Sequence, residues 1–171
     1  LITRKFWRGW LAHKRPTLVS FNGRGFDIPV LELCAFRYGI PVTEWFAPPG
    51  LKSYELPRNR FNTQAHLDLQ DFLGNQGAST VPGGLNLCAQ LLGKPGKTDV
   101  KGDMVQGLWE RGERERIDDY CMHDALDTYF VFLRTRVLCG NITLERERQL
   151  VEGARAWIEK NAAANQGLAE Y

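Results

Sequence analysis

An α/β domain short of strands is what the sequence predicts, on three observations. Two short apolar runs, residues 17–21 and 65–69, are bounded by turn residues in the manner of strands. At least five longer segments repeat their apolar residues at the period of a helix. Two strands cannot make a sheet that five or six helices would cover, so further strands are expected upstream of Leu1. The absence of a starting methionine gives the same expectation.

In chain order, Ile2, Phe6, Trp10 and Leu11 recur at helical spacing, which predicts a helix over residues 1–14 that Pro16 ends. Thr17-Leu18-Val19-Ser20-Phe21 reads as a buried strand running into the Asn22-Gly23 turn. Residues 26–38 return to helical period, with Pro29 tolerated in the first turn and Gly39 after the end. Residues 40–62 hold Pro41, Pro48, Pro49, Gly50 and Pro57 and read as a long irregular connection. Ala65-His66-Leu67-Asp68-Leu69 is the second strand, residues 74–83 are loop, and residues 85–92 are a short helix closed by Gly93. Lys94 to Lys101 form a basic connector. Two helices follow over residues 103–111 and 114–138, separated by Gly112, and Thr143 caps a last helix over 144–160. The organisation expected is one incomplete domain over 1–140, a C-terminal helix over 141–160 and a disordered tail over 161–171.

Composition excludes several classes. Hydrophobic residues are 43% and charged residues 25% of the 171, as in ordinary globular domains, and no apolar run is long enough to cross a bilayer. Cysteines 34, 88, 121 and 139 form no C-x-x-C pair. A reduced, buried set in a reducing cytoplasmic compartment is expected rather than a zinc site or a disulfide framework. The net charge of +2 does not by itself announce a nucleic-acid binder. Basic residues crowd the start, however, and carboxylates crowd residues 113–127. The basic cluster (Arg4, Lys5, Arg8, His13, Lys14, Arg15) reads as a solvated helix face or as a phosphate-facing edge.

The first chemical signal is Phe21-Asn22-Gly23-Arg24-Gly25-Phe26-Asp27-Ile28-Pro29, between a strand and a helix. Ile28 stands where a dinucleotide fingerprint needs its third glycine, and no Gly-Lys-Ser/Thr follows for a P-loop. What remains is a tight turn that delivers the carboxylate of Asp27 to a helix start, where it either caps the helix or serves a site. The second signal is Tyr120-Cys121-Met122-His123-Asp124. Positions 120 and 124 are four apart and share one helix face; either the carboxylate points inward and needs a partner or a cation, or it is a solvated helix carboxylate beside a core-edge tyrosine.

In combination, Asn22-x-x-x-Phe26-Asp27-x-Pro29, the Leu67-Asp68-Leu69 strand and Tyr120-x-x-x-Asp124 follow one another along one chain. With the Leu91-Leu92-Gly93-x-Pro95-Gly96-Lys97 connector and the Trp109 helix, they resemble the predicted 3′–5′ exonuclease family related to the proofreading domain of family B DNA polymerases. That family lies among the DEDDy nucleases, and the resemblance spans nearly all of residues 1–140. It implies a ribonuclease-H-like exonuclease fold, here without the first-motif strands. It also implies two-metal hydrolysis with Mg²⁺ or Mn²⁺, the hard cations that carboxylate oxygens prefer.

By motif, the resemblance makes Asp27 and Asp124 metal ligands and Tyr120 the residue that positions the attacking water. A phenol with a pKa of about 10 suits hydrogen bonding better than proton abstraction at neutral pH. Asn22, Phe26 and Arg24 are candidate substrate contacts, with Asn22 alternatively holding the turn. Asp68 either touches the site or makes a structural hydrogen bond. The aromatic and basic residues of the long connection (Trp45, Phe46, Tyr54, Arg58, Arg60, Phe61) could stack on a single strand or anchor the loop. Lys94, Lys97 and Lys101 are further candidate phosphate contacts.

The partner implied is the 3′ end of single-stranded DNA, with RNA possible, and no membrane. The Asp-x-Glu of the first motif is absent from the 171 residues, so this stretch alone is expected to be catalytically incompetent. A non-catalytic nucleic-acid-binding module with a decayed nuclease site, and an interaction domain docking through the last charged helix, are the rival readings.

Overall fold

Trp7 and Trp10 fall three apart on an amphipathic helix, and with Trp45 they nucleate the first of two packed units. The computed structural model describes residues 2–94, 100 and 102–171. It divides into Leu1–Val81 and Pro82–Tyr171, with the boundary inside the loop at 74–83. The connector residues Pro95, Gly96 and Lys97, and Lys101, lie outside the described residues.

In the first unit, α1 (Ile2–Ala12) buries Thr3, Trp7 and Trp10 and leaves Arg4, Lys5 and Arg8 exposed. It ends as expected before Pro16, where Lys14 and Arg15 adopt positive φ and the Trp10 indole donates to Pro16 O at 3.0 Å. The two strands, β1 (Leu18–Ser20) and β2 (His66–Asp68), pair in parallel in the register Leu18↔His66, Val19↔Leu67, Ser20↔Asp68. Between them runs α2 (Asp27–Arg37), which adds Ile28 and Ala35 to the core. The connection over 40–62 is not wholly irregular, because it contains α3 (Thr43–Phe46). This helix drives Trp45 to 0% exposure against Trp7 and Trp10, at ring separations of 5.5 and 5.6 Å. The Trp45 indole donates to Glu32 Oε1 at 2.8 Å, and Glu32 also receives Arg58 at 2.9 Å. Trp45 therefore anchors the connection, while Phe46, Tyr54 and Phe61 stay exposed. A short α4 (Leu69–Leu73) follows β2 directly.

The second unit is helical. It contains α5 (Gly84–Leu91), a 3₁₀ turn at Gly102–Met104, α6 (Val105–Glu110), α7 (Arg114–Leu138), α8 (Leu144–Ala162) and α9 (Gln166–Glu170). Its core gathers Phe130 and Leu133 of α7, Ile158 of α8 and Leu168 of α9. Thr143 caps α8 as expected, accepting from Arg146 N at 3.1 Å. Asn165 caps α9, its side chain accepting from Leu168 N at 3.1 Å, and Leu168 is buried. The buried Glu147 is paired with Arg134 at 2.8 and 3.0 Å, as a buried carboxylate requires.

Among the described residues helices make up 59%, beside one two-stranded parallel sheet, compatible with an α/β fold. Among the described residues no helix is long and apolar enough to cross a membrane. The four cysteines are not the buried set expected: Cys34 and Cys88 are half-buried, and Cys121 and Cys139 are exposed, because their positions on α7 and at its end face away from the core.

Trp45→Ala should cost about 3–5 kcal/mol, as large core truncations do. Trp157→Ala, at a position 56% exposed, should stay within about 0.5 kcal/mol. Urea denaturation followed by circular dichroism measures both.

Candidate active site

The chain between β1 and α2 must reverse within six residues, and its side chains explain how. Asn22 takes a left-handed φ of 61°, which Asn tolerates better than most residues. A Cβ at Gly23 would collide with Ser20 Oγ, so only glycine fits there. The turn closes through Gly25 N and Phe26 N to Asn22 O, each at 3.1 Å, and through Ile28 N to Gly23 O at 2.8 Å.

From across the sheet, the buried carboxylate of Asp68 accepts Asn22 N at 2.9 Å, Arg24 N at 2.8 Å and Gln70 N at 3.0 Å. The Arg24 guanidinium turns back to His66 O at 2.7 Å and to Arg58 O at 3.4 Å. Burial lowers its pKa from the ordinary arginine value, with the charge of Asp68 opposing the shift.

This turn presents Asp27 as the exposed first residue of α2, with its carboxylate beside Gly23. The helix cap is Phe26, which makes no side-chain capping bond, so Asp27 is not the cap. At this position its charge is favoured by the helix dipole. Phe26 is 65% exposed, and the Asn22 side chain accepts from Gln70 Nε2 at 3.4 Å. A cleft of about 470 Å³ opens beside the turn, lined in part by Asn22, Arg24, Arg58, Arg60, Asp68 and Asp71. Its cations are not idle: Arg58 is paired with Glu32 and Arg60 with Asp71.

Beneath the turn, Ser20 Oγ and His66 Nε2 share a hydrogen bond at 2.7 Å, and the buried His66 Nδ1 has no partner. Burial first, and the Arg24 charge second, push the His66 pKa down from 6.5 to about 4. Nothing in the sequence marks out His66, because its burial depends on the strand pairing.

In the second unit, α7 carries Tyr120 and Asp124 four residues apart, both half-buried, with the Tyr120 phenol oxygen close to Gly102. The Asp124 carbonyl accepts Thr128 Oγ1 at 2.7 Å. Three residues further on, the buried Asp127 accepts the Tyr171 hydroxyl at 2.7 Å. Burial, reinforced by the Asp124 charge and opposed by the Tyr171 bond, raises the Asp127 pKa. His123 donates through Nε2 to Gly167 O at 2.7 Å, so α9 lies against the same stretch of helix. The Lys94 ammonium sits 3.8 Å from the Phe130 ring centroid. The Tyr171–Asp127 pair was invisible in the sequence, where residue 171 belonged to the expected tail.

Each unit thus places its own motif residues, Asp27 in the first and Tyr120 with Asp124 in the second. The oxygen donors are of the type a hard divalent cation takes. Among the described residues no group of three or more His, Cys, Asp or Glu is placed to hold a metal ion.

Comparison with known proteins gives one positive result. A family model described as a predicted 3′–5′ exonuclease related to the exonuclease domain of PolB matches residues 1–171. No curated protein and no solved structure matches the chain.

The histidine gives a pH dependence with a definite sign. In the unfolded chain His66 takes a proton below about pH 6.5, and in the folded chain only near 4. Unfolding therefore takes up a proton within that window, and stability falls as pH drops through it, by at most about 3 kcal/mol. His66→Gln should flatten the urea midpoint between pH 6.5 and 4 relative to the wild type.

Proposed function

The chain belongs to that family of predicted 3′–5′ exonucleases related to the exonuclease domain of PolB, and on that premise we propose that it removes nucleotides from nucleic-acid 3′ ends. The observation that carries the reading is the family match over the whole of residues 1–171. The reading extends to a ribonuclease-H-like fold of the DEDDy type, with single-stranded DNA as the preferred substrate and RNA as a second one. The parallel β1–β2 pair, with the carboxylate of the second motif leaving the end of β1, supports it.

In this proposal Asp27 and Asp124 are ligands of Mg²⁺ or Mn²⁺. When bound, such a cation stabilises charge on the attacking and leaving oxygens of an in-line displacement at phosphorus. Tyr120 orients the attacking water by hydrogen bonding, from a helix whose regular i, i+4 geometry fixes its distance to the Asp124 side chain. Asn22 and Arg24 shape the turn through their backbone bonds to Asp68. The exposed Phe26 is the aromatic surface on which a terminal base would stack. The acidic Asp-x-Glu pair of the first motif is not among these 171 residues. A polypeptide of these residues alone is therefore expected to leave DNA intact.

The test uses the full-length natural protein that carries this chain, with 5′-labelled single-stranded DNA and Mg²⁺ or Mn²⁺. Stepwise shortening from the 3′ end is expected. Asp27→Ala or Asp124→Ala should lower kcat on the order of 10³-fold or more, as for residues that act as a unit. Tyr120→Phe should lower it on the order of 10²-fold. Absence of 3′-end shortening, or shortening indifferent to Asp124→Ala, refutes the proposal.

A further inference from the structure

We infer that Asp68 is a positioning residue: its carboxylate holds the β1–α2 turn in the one shape that presents Asp27. The inference rests on the proposed role of Asp27 and adds a residue that this role requires.

Asp68 is 4% exposed and lies at the end of β2, between the fully buried Leu69 and the nearly buried Leu67. Its backbone is therefore fixed by the core and the sheet. Its side chain reaches out of its own element. Oδ1 takes Asn22 N and Gln70 N, and Oδ2 takes Arg24 N alone. Two of the three donors belong to the turn, five and three residues before Asp27.

Left to itself this turn would not hold one shape. Asn22 sits in the left-handed region that non-glycine residues rarely adopt, and Gly23 and Gly25 on either side of Arg24 add the freedom of residues without a Cβ. The Arg24 side chain supplies a second strap, to His66 O on the same strand. Both straps run from β2 to the turn, so β2 is the template on which Asp27 is placed.

The bonds from Asp68 are not what pairs the strands. The register is carried by the backbone from Leu18↔His66 to Ser20↔Asp68, with Leu18 N on Ala65 O at 2.9 Å and Thr17 Oγ1 on Gln64 O at 2.6 Å. The aromatic core of Trp7, Trp10 and Trp45 is built from α1 and α3 and does not include Asp68. A change confined to Oδ2 should therefore loosen the turn while the unit stays folded.

Asp68→Asn makes that change. With its oxygen kept at the Oδ1 position, the amide still accepts Asn22 N and Gln70 N. It then turns an NH₂ toward Arg24 N–H, donor against donor. The experiment compares wild type and Asp68→Asn in the full-length natural protein by three readouts: thermal melting, amide hydrogen exchange over residues 22–27, and hydrolysis of single-stranded DNA as a function of Mn²⁺.

The expected result is a cooperative melt at a modestly lower temperature, exchange at Arg24 and Gly25 faster by about tenfold or more, and kcat of the folded protein lower on the order of tenfold. The KM for the oligonucleotide should be unchanged, and the Mn²⁺ concentration giving half-maximal rate should rise. A merely structural role would lower the melting temperature and leave kcat of the folded fraction and its Mn²⁺ dependence where they were; that outcome overturns the inference. Exchange and kcat both at wild-type values overturn it as well.

A wild-type protein that hydrolyses nothing overturns the proposed function, and the positioning role falls with it. A hydrolysing wild type with an indifferent Asp68→Asn overturns the positioning role alone. Should Asp68→Asn fail to fold, Asp68→Glu is read in the same way. It keeps two acceptor oxygens but sets them farther out, so a folded Glu variant with wild-type kcat and Mn²⁺ dependence overturns the inference.

Discussion

A carboxylate taken out of water must find donors, because an uncompensated buried charge costs several kcal/mol. Asp68 finds three backbone amides, two of them in the turn after β1 and one at the start of α4. Much of the first unit depends on this requirement. Satisfying the carboxylate joins β2 to the far end of β1, fixes the direction in which the chain leaves the sheet, and sets where α2 begins. Because α2 then delivers Ile28 and Ala35 to the tryptophan core, the polar clamp and the apolar core locate the same helix from its two sides. His66 is buried two residues earlier on the strand, where burial and then the charge of the nearby Arg24 lower its pKa to about 4.

The second unit solves a different problem. Its long helix α7 carries Asp118, Asp119, Asp124 and Asp127 within three turns, and like charges at such spacing repel. Asp127 is buried under the Tyr171 hydroxyl, and burial raises its pKa against that hydrogen bond, with the neighbouring Asp124 adding to the rise. The same contacts bring α9 onto α7 through His123 and Leu168, so the last residues of the chain pack against the helix that carries Tyr120 and Asp124.

The sequence showed what local rules decide. The bounds of α7 follow from helical periodicity between Gly112 and Gly140, and the start of α8 from the hydroxyl of Thr143. The turn before Asp27 was legible from its glycines. What depended on distant partners was not. The role of Asp68 rests on the pairing Ser20↔Asp68, between residues 48 apart. The pair Asp127–Tyr171 joins residues 44 apart. The short helices α3 and α9 lack the length that makes periodicity visible and are held by Trp45 and Leu168 in their cores. The exposure of Cys121 and Cys139 was hidden because a helix with apolar residues spread around it does not announce which side is covered.

The central claim of the proposal is that Asp27 and Asp124 serve one reaction. A double-mutant cycle tests it most directly, with Asp27→Ala, Asp124→Ala and the double variant compared in kcat on a single-stranded 3′ end. Residues that act as a unit are strongly non-additive. The account predicts a double variant no slower than the slower single variant. A double variant slowed by the product of the two single losses would contradict it, since the two carboxylates would then contribute independently.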